Sequence, residues 1–247
     1  MTGAILVAGA ADALGRALSA EFCARGHRVA GLGASAADVE AVGAGPLFIG
    51  VPCDAADPAA VRVAFRDVRA RIGPVAVLVN NVAPQPRRDV LDETADSIMA
   101  AVHSGLGSLV ACTREALVDM TAEGTGRILN VAGADRAPAI PASATFAVLN
   151  EAGRAFTRAL VADLSDRFPR IVTIDWIPSA TAVPANAFGD VDPKQAAQWA
   201  VTLALMQEPR LNGTTWQGNR ELLPPRALGR RVVDRLLGRP SRGRLVS

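Results

Sequence analysis

The stretch 4-AILVAGAADALGRAL-18 decides the fold. Ala4 to Ala8 form an unbroken apolar run, which suits a strand buried on both faces rather than one. Gly9 then bears a turn, and the residues from about Ala13 onward take helical spacing. Strand, tight turn and helix in direct succession are the opening unit of a parallel α/β sheet. The same apolar texture returns at 28-RVAGL-32, 47-LFIGV-51, 75-VAVLVN-80, 127-RILNV-131, 171-IVTIDWI-177 and 213-GTTWQ-217. Segments of helical spacing separate them, at 13–25, 36–42, 58–71, about 95–122, 143–166 and 193–207. Right-handed crossovers between such strands give a single doubly wound, Rossmann-type parallel sheet of about seven strands flanked by helices. Gly26 after the first helix, Asp57-Pro58 opening the third and Gly73-Pro74 before the fourth strand punctuate the chain where this order requires it.

With 247 residues, half of them hydrophobic, the chain can bury a full core as one domain. The domain is expected over 1–223. A net charge of +2 points to no polyanionic partner, and no nucleic-acid role is expected. Cys23, Cys53 and Cys112 lie far apart without metal-ligand spacing, so they read as buried free thiols in a reducing compartment, and no metal site is expected. No apolar run approaches the roughly 18 residues that span a bilayer. The first strand begins by Ala4, which leaves no room for a signal peptide, and the expectation is a cytoplasmic protein without membrane attachment. From Pro224 the texture changes: 226-RALGRRVVDRLLGRPSRGRLVS-247 carries seven arginines against Asp234 alone. Leu228, Val232, Val233, Leu236 and Leu237 fall at helical spacing, giving a short amphipathic helix and a basic tail over 224–247. Docking on the body with a frayed end, or on another subunit, both suit that pattern.

The opening stretch, together with 77-VLVNNVA-83 and 126-GRILNVAG-133, resembles the short-chain dehydrogenase/reductase family over nearly the whole chain. The resemblance implies a nucleotide site at the first turn, where that family carries Thr-Gly-x-x-x-Gly-x-Gly. The matching residues here are Ala8, Gly9, Ala13, Leu14 and Gly15. Ala13 brings a β-carbon to a glycine position, either filling cofactor space or opposing a positive φ. Asp12 stands where relatives that use the phosphorylated cofactor often place a cation. After the second strand, 31-GLGAS-35 offers no acid for the ribose hydroxyls. Asp54, in 53-CDAAD-57, matches the residue that contacts adenine, and Asn80 matches the first asparagine of the family's Asn-Asn-Ala-Gly. A turn residue and a strand-end brace are equally good readings of these two. Val82 and Ala83 add bulk beside the nicotinamide ribose position. The implied cofactor state is none, or NAD or NADP held with reduced affinity.

The reaction centre departs further. The family donates its proton from Tyr-x-x-x-Lys, and this chain has no tyrosine at all; 146-FAVLN-150 puts Phe146 and Asn150 at those positions. Gly105 replaces the asparagine of the proton relay in 104-SGLGSLVACTREALVDM-120, and Gly133 replaces the serine that orients the substrate carbonyl. Reducing a ketone leaves an alkoxide that needs a positioned proton donor, worth about 10²–10⁴ in rate. Tyrosine serves because an adjacent ammonium lowers its pKa from about 10. Phenylalanine has no such proton and asparagine no charge. The connection 180-ATAVPANAFGDVD-192 is also shorter than the substrate lid of relatives.

Two functional readings follow from the resemblance. In one, this is a catalytically silent subunit that pairs with an active homologue, as a hetero- or homo-oligomer, through the long helices around 95–122 and 143–166. In the other, the pocket is repurposed, for atypical chemistry with a bound nicotinamide but without the usual proton relay or for non-redox chemistry, with His103, Asp135 and Arg136 near the reaction centre as candidates for the non-redox proton chemistry. A solvated helix face for His103 and a solvated loop for the other two are the plainer alternatives. Asp175 and Trp176 are expected to serve packing.

Overall fold

A computed structural model describes residues 3–81, 88–133, 144–178, 191–223 and 245–246. Eight strands form one sheet: β1 (Ala4–Ala8), β2 (Val29–Gly33), β3 (Phe48–Pro52), β4 (Val75–Asn80), β5 (Gly126–Val131), β6 (Ile171–Ile177), β7 (Thr215–Gln217) and β8 (Arg220–Leu222). Their order is β3-β2-β1-β4-β5-β6-β7-β8, which reverses direction between β1 and β4. β1 to β7 are parallel and β8 is antiparallel. The helices are α1 (Ala13–Ala24), α2 (Ala36–Glu40), α3 (Pro58–Ile72), α4 (Ala95–Val102), α5 (Ser108–Glu123), α6 (Ala144–Leu164) and α7 (Pro193–Leu205). One core lies under α1 and α7, with Leu14, Leu18, Phe22, Trp176 and Trp216 buried in it. The other lies under α3 and α5, around Phe65, Val68, Cys112, Ala116 and Met120.

Four expectations need correction. The sheet has eight strands rather than about seven, because a turn at Gly218 (φ +55) folds β8 back on β7. The long helix is interrupted by a π-helical turn at His103–Gly107. Ala95–Glu123 is, by length and composition, apolar enough to cross a bilayer, contrary to the reading of the sequence. It lies in a helix layer: α5 buries Leu109, Cys112, Thr113, Ala116 and Met120, yet only 17% of the most apolar window is covered. The chain's end is also not simply frayed. The helix expected around 228–237 lies outside the described residues, but Leu245 bridges Arg220, the Val246 amide donates to Asn219 O at 2.8 Å, and Val246 joins the first core.

Polar residues at one level tie the middle of the sheet together. Asn80, Asn130 and Asp175 are register partners on β4, β5 and β6. Asn80 Nδ2 donates to Thr113 Oγ1 of α5 at 3.0 Å and to Asn130 Oδ1 at 2.8 Å. Asn130 Nδ2 donates to Thr157 Oγ1 of α6 at 2.9 Å, and the Thr157 hydroxyl donates to Asp175 Oδ1 at 2.6 Å. All five residues are buried, so each bond spares a desolvated group; Asn80 Oδ1 alone lacks a hydrogen-bond partner. Burial holds the Asp175 carboxyl above the usual carboxylate range, and the Thr157 hydroxyl, the charges of Arg154 and Arg158 and the Asn130 amide offset this only in part. A raised folded-state pKa means that ionising Asp175 costs stability as pH rises through that value, and costs nothing below the unfolded value near pH 4. Asp175→Asn keeps an acceptor for Thr157 and removes the charge. It should raise Tm at about pH 7 to 8, with the gain fading toward about pH 4 in thermal melts across that range. A loss of Tm that is constant with pH would contradict this.

Candidate functional site

The carboxyl ends of β1, β4 and β5 meet the first turns of α1 and α6 where the sheet order reverses, the place where open α/β sheets form a crevice. Gly9 (φ +76) ends β1, and a β-carbon there would stand 2.1 Å from Asn81 O. One on Gly15 would stand 2.2 Å from Gly9 O. Both glycines are therefore required by the turn itself. Asp12 caps α1: its Oδ1 accepts from Gly15 N at 2.6 Å and from Asn81 Nδ2 at 2.9 Å. The same Asn81 amide donates to Gly9 O at 2.9 Å. Asn81 was not singled out from the sequence. Its signal was strand alternation, since consecutive residues at the end of β4 face opposite sides and only Asn80 can serve the sheet interior.

The other nucleotide-site candidates are distributed differently from expectation. Ala13 is the first residue of α1 and exposed, so no positive φ is required there and that half of the expectation is corrected. Leu14 is 1% exposed within the core, at i, i+4 and i+8 with Leu18 and Phe22, so its side chain faces away from any cleft. Asn80 is likewise buried, as the brace described above. Asp54 is exposed, and its Oδ1 accepts from Ala56 N at 3.0 Å in the turn that leads to α3. Beyond β2, Gly33 packs on Val39 and Ser35 forms a capping box with Asp38.

Three of the four positions that the resemblance assigned to the reaction centre come together. The Asn150 amide closes on the Gly133 peptide: Gly133 N donates to Asn150 Oδ1 at 2.7 Å, and Asn150 Nδ2 donates to Gly133 O at 3.1 Å. Arg154, one turn further along α6 and not identified from the sequence, donates from Nη2 to the same carbonyl at 2.8 Å. Phe146 covers the other side, its Cζ 2.1 Å from where a β-carbon of residue 133 would lie. Gly105 is buried within the π turn. His103 opens that turn with its side chain exposed, while Asp135, Arg136, Val82 and Ala83 lie outside the described residues, as does most of the 180–192 connection. Among the described residues, no group of three or more His, Cys, Asp or Glu is placed to hold a metal ion.

The family model for short chain dehydrogenases matches residues 3–188. The chain belongs to the short-chain dehydrogenase/reductase family. It is 26% identical over 226 residues to a 3beta-hydroxysteroid dehydrogenase of Mediterraneibacter gnavus, covering 85% of this chain and 79% of that one. It is 23% identical over 230 residues to carbonyl reductase family member 4 of Danio rerio, covering 86% and 94%. Its fold matches the 3-ketoacyl-(acyl-carrier-protein) reductase of Brucella melitensis, solved with NADH, at a TM-score of 0.77 and 19% identity over 87% of this chain and 96% of that one. Relatives are thus named dehydrogenases and reductases, and one fold neighbour was solved with NADH.

For a short-chain dehydrogenase, the contact between Gly133 and Phe146 has a direct consequence. A serine at 133 cannot be accommodated while the ring stays in place. Gly133→Ser alone should destabilise by about 1–3 kcal/mol through overpacking. Combining it with Phe146→Ala should recover part of that loss, giving a coupling above about 0.5 kcal/mol in a double-mutant cycle measured by urea unfolding. Strict additivity would show that the two positions do not confront one another.

Proposed function

We propose that this chain is a catalytically silent short-chain dehydrogenase subunit, the structural or regulatory partner of an active homologue in a heteromeric NAD(P)-dependent dehydrogenase. By itself it would not act as an oxidoreductase. The observation that carries the reading is the closure of the Gly133 peptide by Asn150 and Phe146. Where a hydroxyl and an ammonium would protonate a nascent alkoxide, the side chains are spent on the backbone and on packing, and neither supplies a proton at the required place.

A partner is supported by the surface of the long helices. Met99 (64% exposed), Val110 (38%) and Val118 (44%) lie along α4 and α5, and Val148 (54%) lies on α6. α6 buries only Thr145, Thr157 and Leu160 among its 21 residues. Large apolar side chains left in water on two neighbouring helices favour a homologous subunit that presents a matching face. The described cysteines suit the cytoplasm: all three are free, burial with nearby Asp54 and Asp57 pushes the Cys53 thiol up to about 11, and burial with Cys53 pushes Cys112 up to about 12, which keeps both inert.

The test is co-expression with a homologue from the same genome that retains Tyr-x-x-x-Lys. A stable heteromer on size exclusion is expected, disrupted by Val118→Glu combined with Val148→Glu. Independent elution of the two chains with every such homologue would overturn the proposal.

A further inference from the structure

The family fold presents the N-terminus of α1 to a dinucleotide's pyrophosphate, and in this chain a carboxylate already occupies that end of the helix. Asp12 Oδ1 takes the Gly15 amide at 2.6 Å and the Asn81 side-chain amide at 2.9 Å. Asn81 is itself fixed by Gly9 O, so the second donor is held in place rather than borrowed from a free side chain. The turn is tightly packed: Gly9 sits against Asn81 O and Gly15 against Gly9 O, with no room for a β-carbon at either. No described cation pairs with Asp12; the nearest in sequence, Arg16, spends its Nε on Ala11 O at 2.7 Å.

We infer that Asp12 is the residue that closes this chain's nucleotide cleft to phosphates: its carboxylate stands in for the pyrophosphate at α1. The partial positive charge at a helix end, about +0.5, favours one anion, and Asp12 offsets it with a full negative charge. Ala13 and Leu14 still offer first-turn N–H groups, but a phosphate reaching them arrives beside that carboxylate and is repelled by it. The residues present therefore do not fit the family's cofactor. The second missing device points the same way, since the end of β2 supplies only Gly33 and the capping pair Ser35 and Asp38 to a ribose. This inference stands apart from the silence of the reaction centre, because a subunit without a proton donor can keep its nucleotide.

The experiment is calorimetric titration of the purified full chain with ADP and with NADH, comparing the wild type with Asp12→Asn and Asp12→Ser. Asn is nearly isosteric and removes only the charge; Ser keeps a helix cap if the first variant folds poorly. The wild type should show no binding in the micromolar range, and both ligands should bind the uncharged variants at least about tenfold more tightly, a gain that shrinks with added salt. Micromolar binding of ADP by the wild type, or folded variants that bind no better than it does, would overturn the inference. Neither result bears on the silent-subunit reading, which fails instead if the isolated chain refuses every intact homologue.

Discussion

The ring of Phe146, from the first turn of α6, sits so close to the chain beyond β5 that residue 133 has no space for a β-carbon. That one steric constraint organises the reaction centre. With Phe146 seated over Gly133, the strand end presents only a peptide group, and the next turn of α6 supplies an amide of matching shape in Asn150. Arg154 then secures the same carbonyl from below. Each of these residues is explicable only in the presence of the others: a serine would collide with the ring, and a lysine at 150 would have no acceptor role to offer the Gly133 amide. Gly133, Phe146 and Asn150 form one packed unit, and Gly105 stands apart from it in the π turn.

Behind that unit lies a framework built on buried polarity. The row formed by Asn80, Asn130 and Asp175 joins three strands at one level, and Thr113 and Thr157 tie it to α5 and α6. Apart from Asn80 Oδ1, the members of this network are satisfied, and it links the sheet to the helices around Gly105, Phe146 and Asn150. The scaffold of the short-chain dehydrogenase/reductase family is thus present, and exposed apolar side chains of α4, α5 and α6 lie on its surface.

Much of this could be read from the sequence, for physical reasons that also explain the gaps. Strands such as 171-IVTIDWI-177 are mostly apolar runs, and every residue of this one, Thr173 and Asp175 included, is buried. β8 escaped notice because Arg220-Glu221-Leu222 is a short, polar edge strand with no apolar signature. The π turn escaped because apolar residues continue on both sides of it, so the sequence reads as one long helix. Leu14 was assigned to the cofactor by family position although its spacing with Leu18 and Phe22 marked it as core. The contacts of Asn81 with Asp12 and of Arg154 with Gly133 link residues 69 and 21 positions apart, and no local pattern encodes them. The return of Val246 to the core is of the same long-range kind.

The central claim is that the Gly133, Phe146 and Asn150 unit cannot deliver a proton to a forming alkoxide. The most direct measurement is oxidation of NADH and NADPH by the isolated chain in the presence of a panel of ketones, followed by absorbance. The account predicts rates indistinguishable from enzyme-free buffer. Turnover in the ordinary enzymatic range, about 1–10³ s⁻¹, would contradict it.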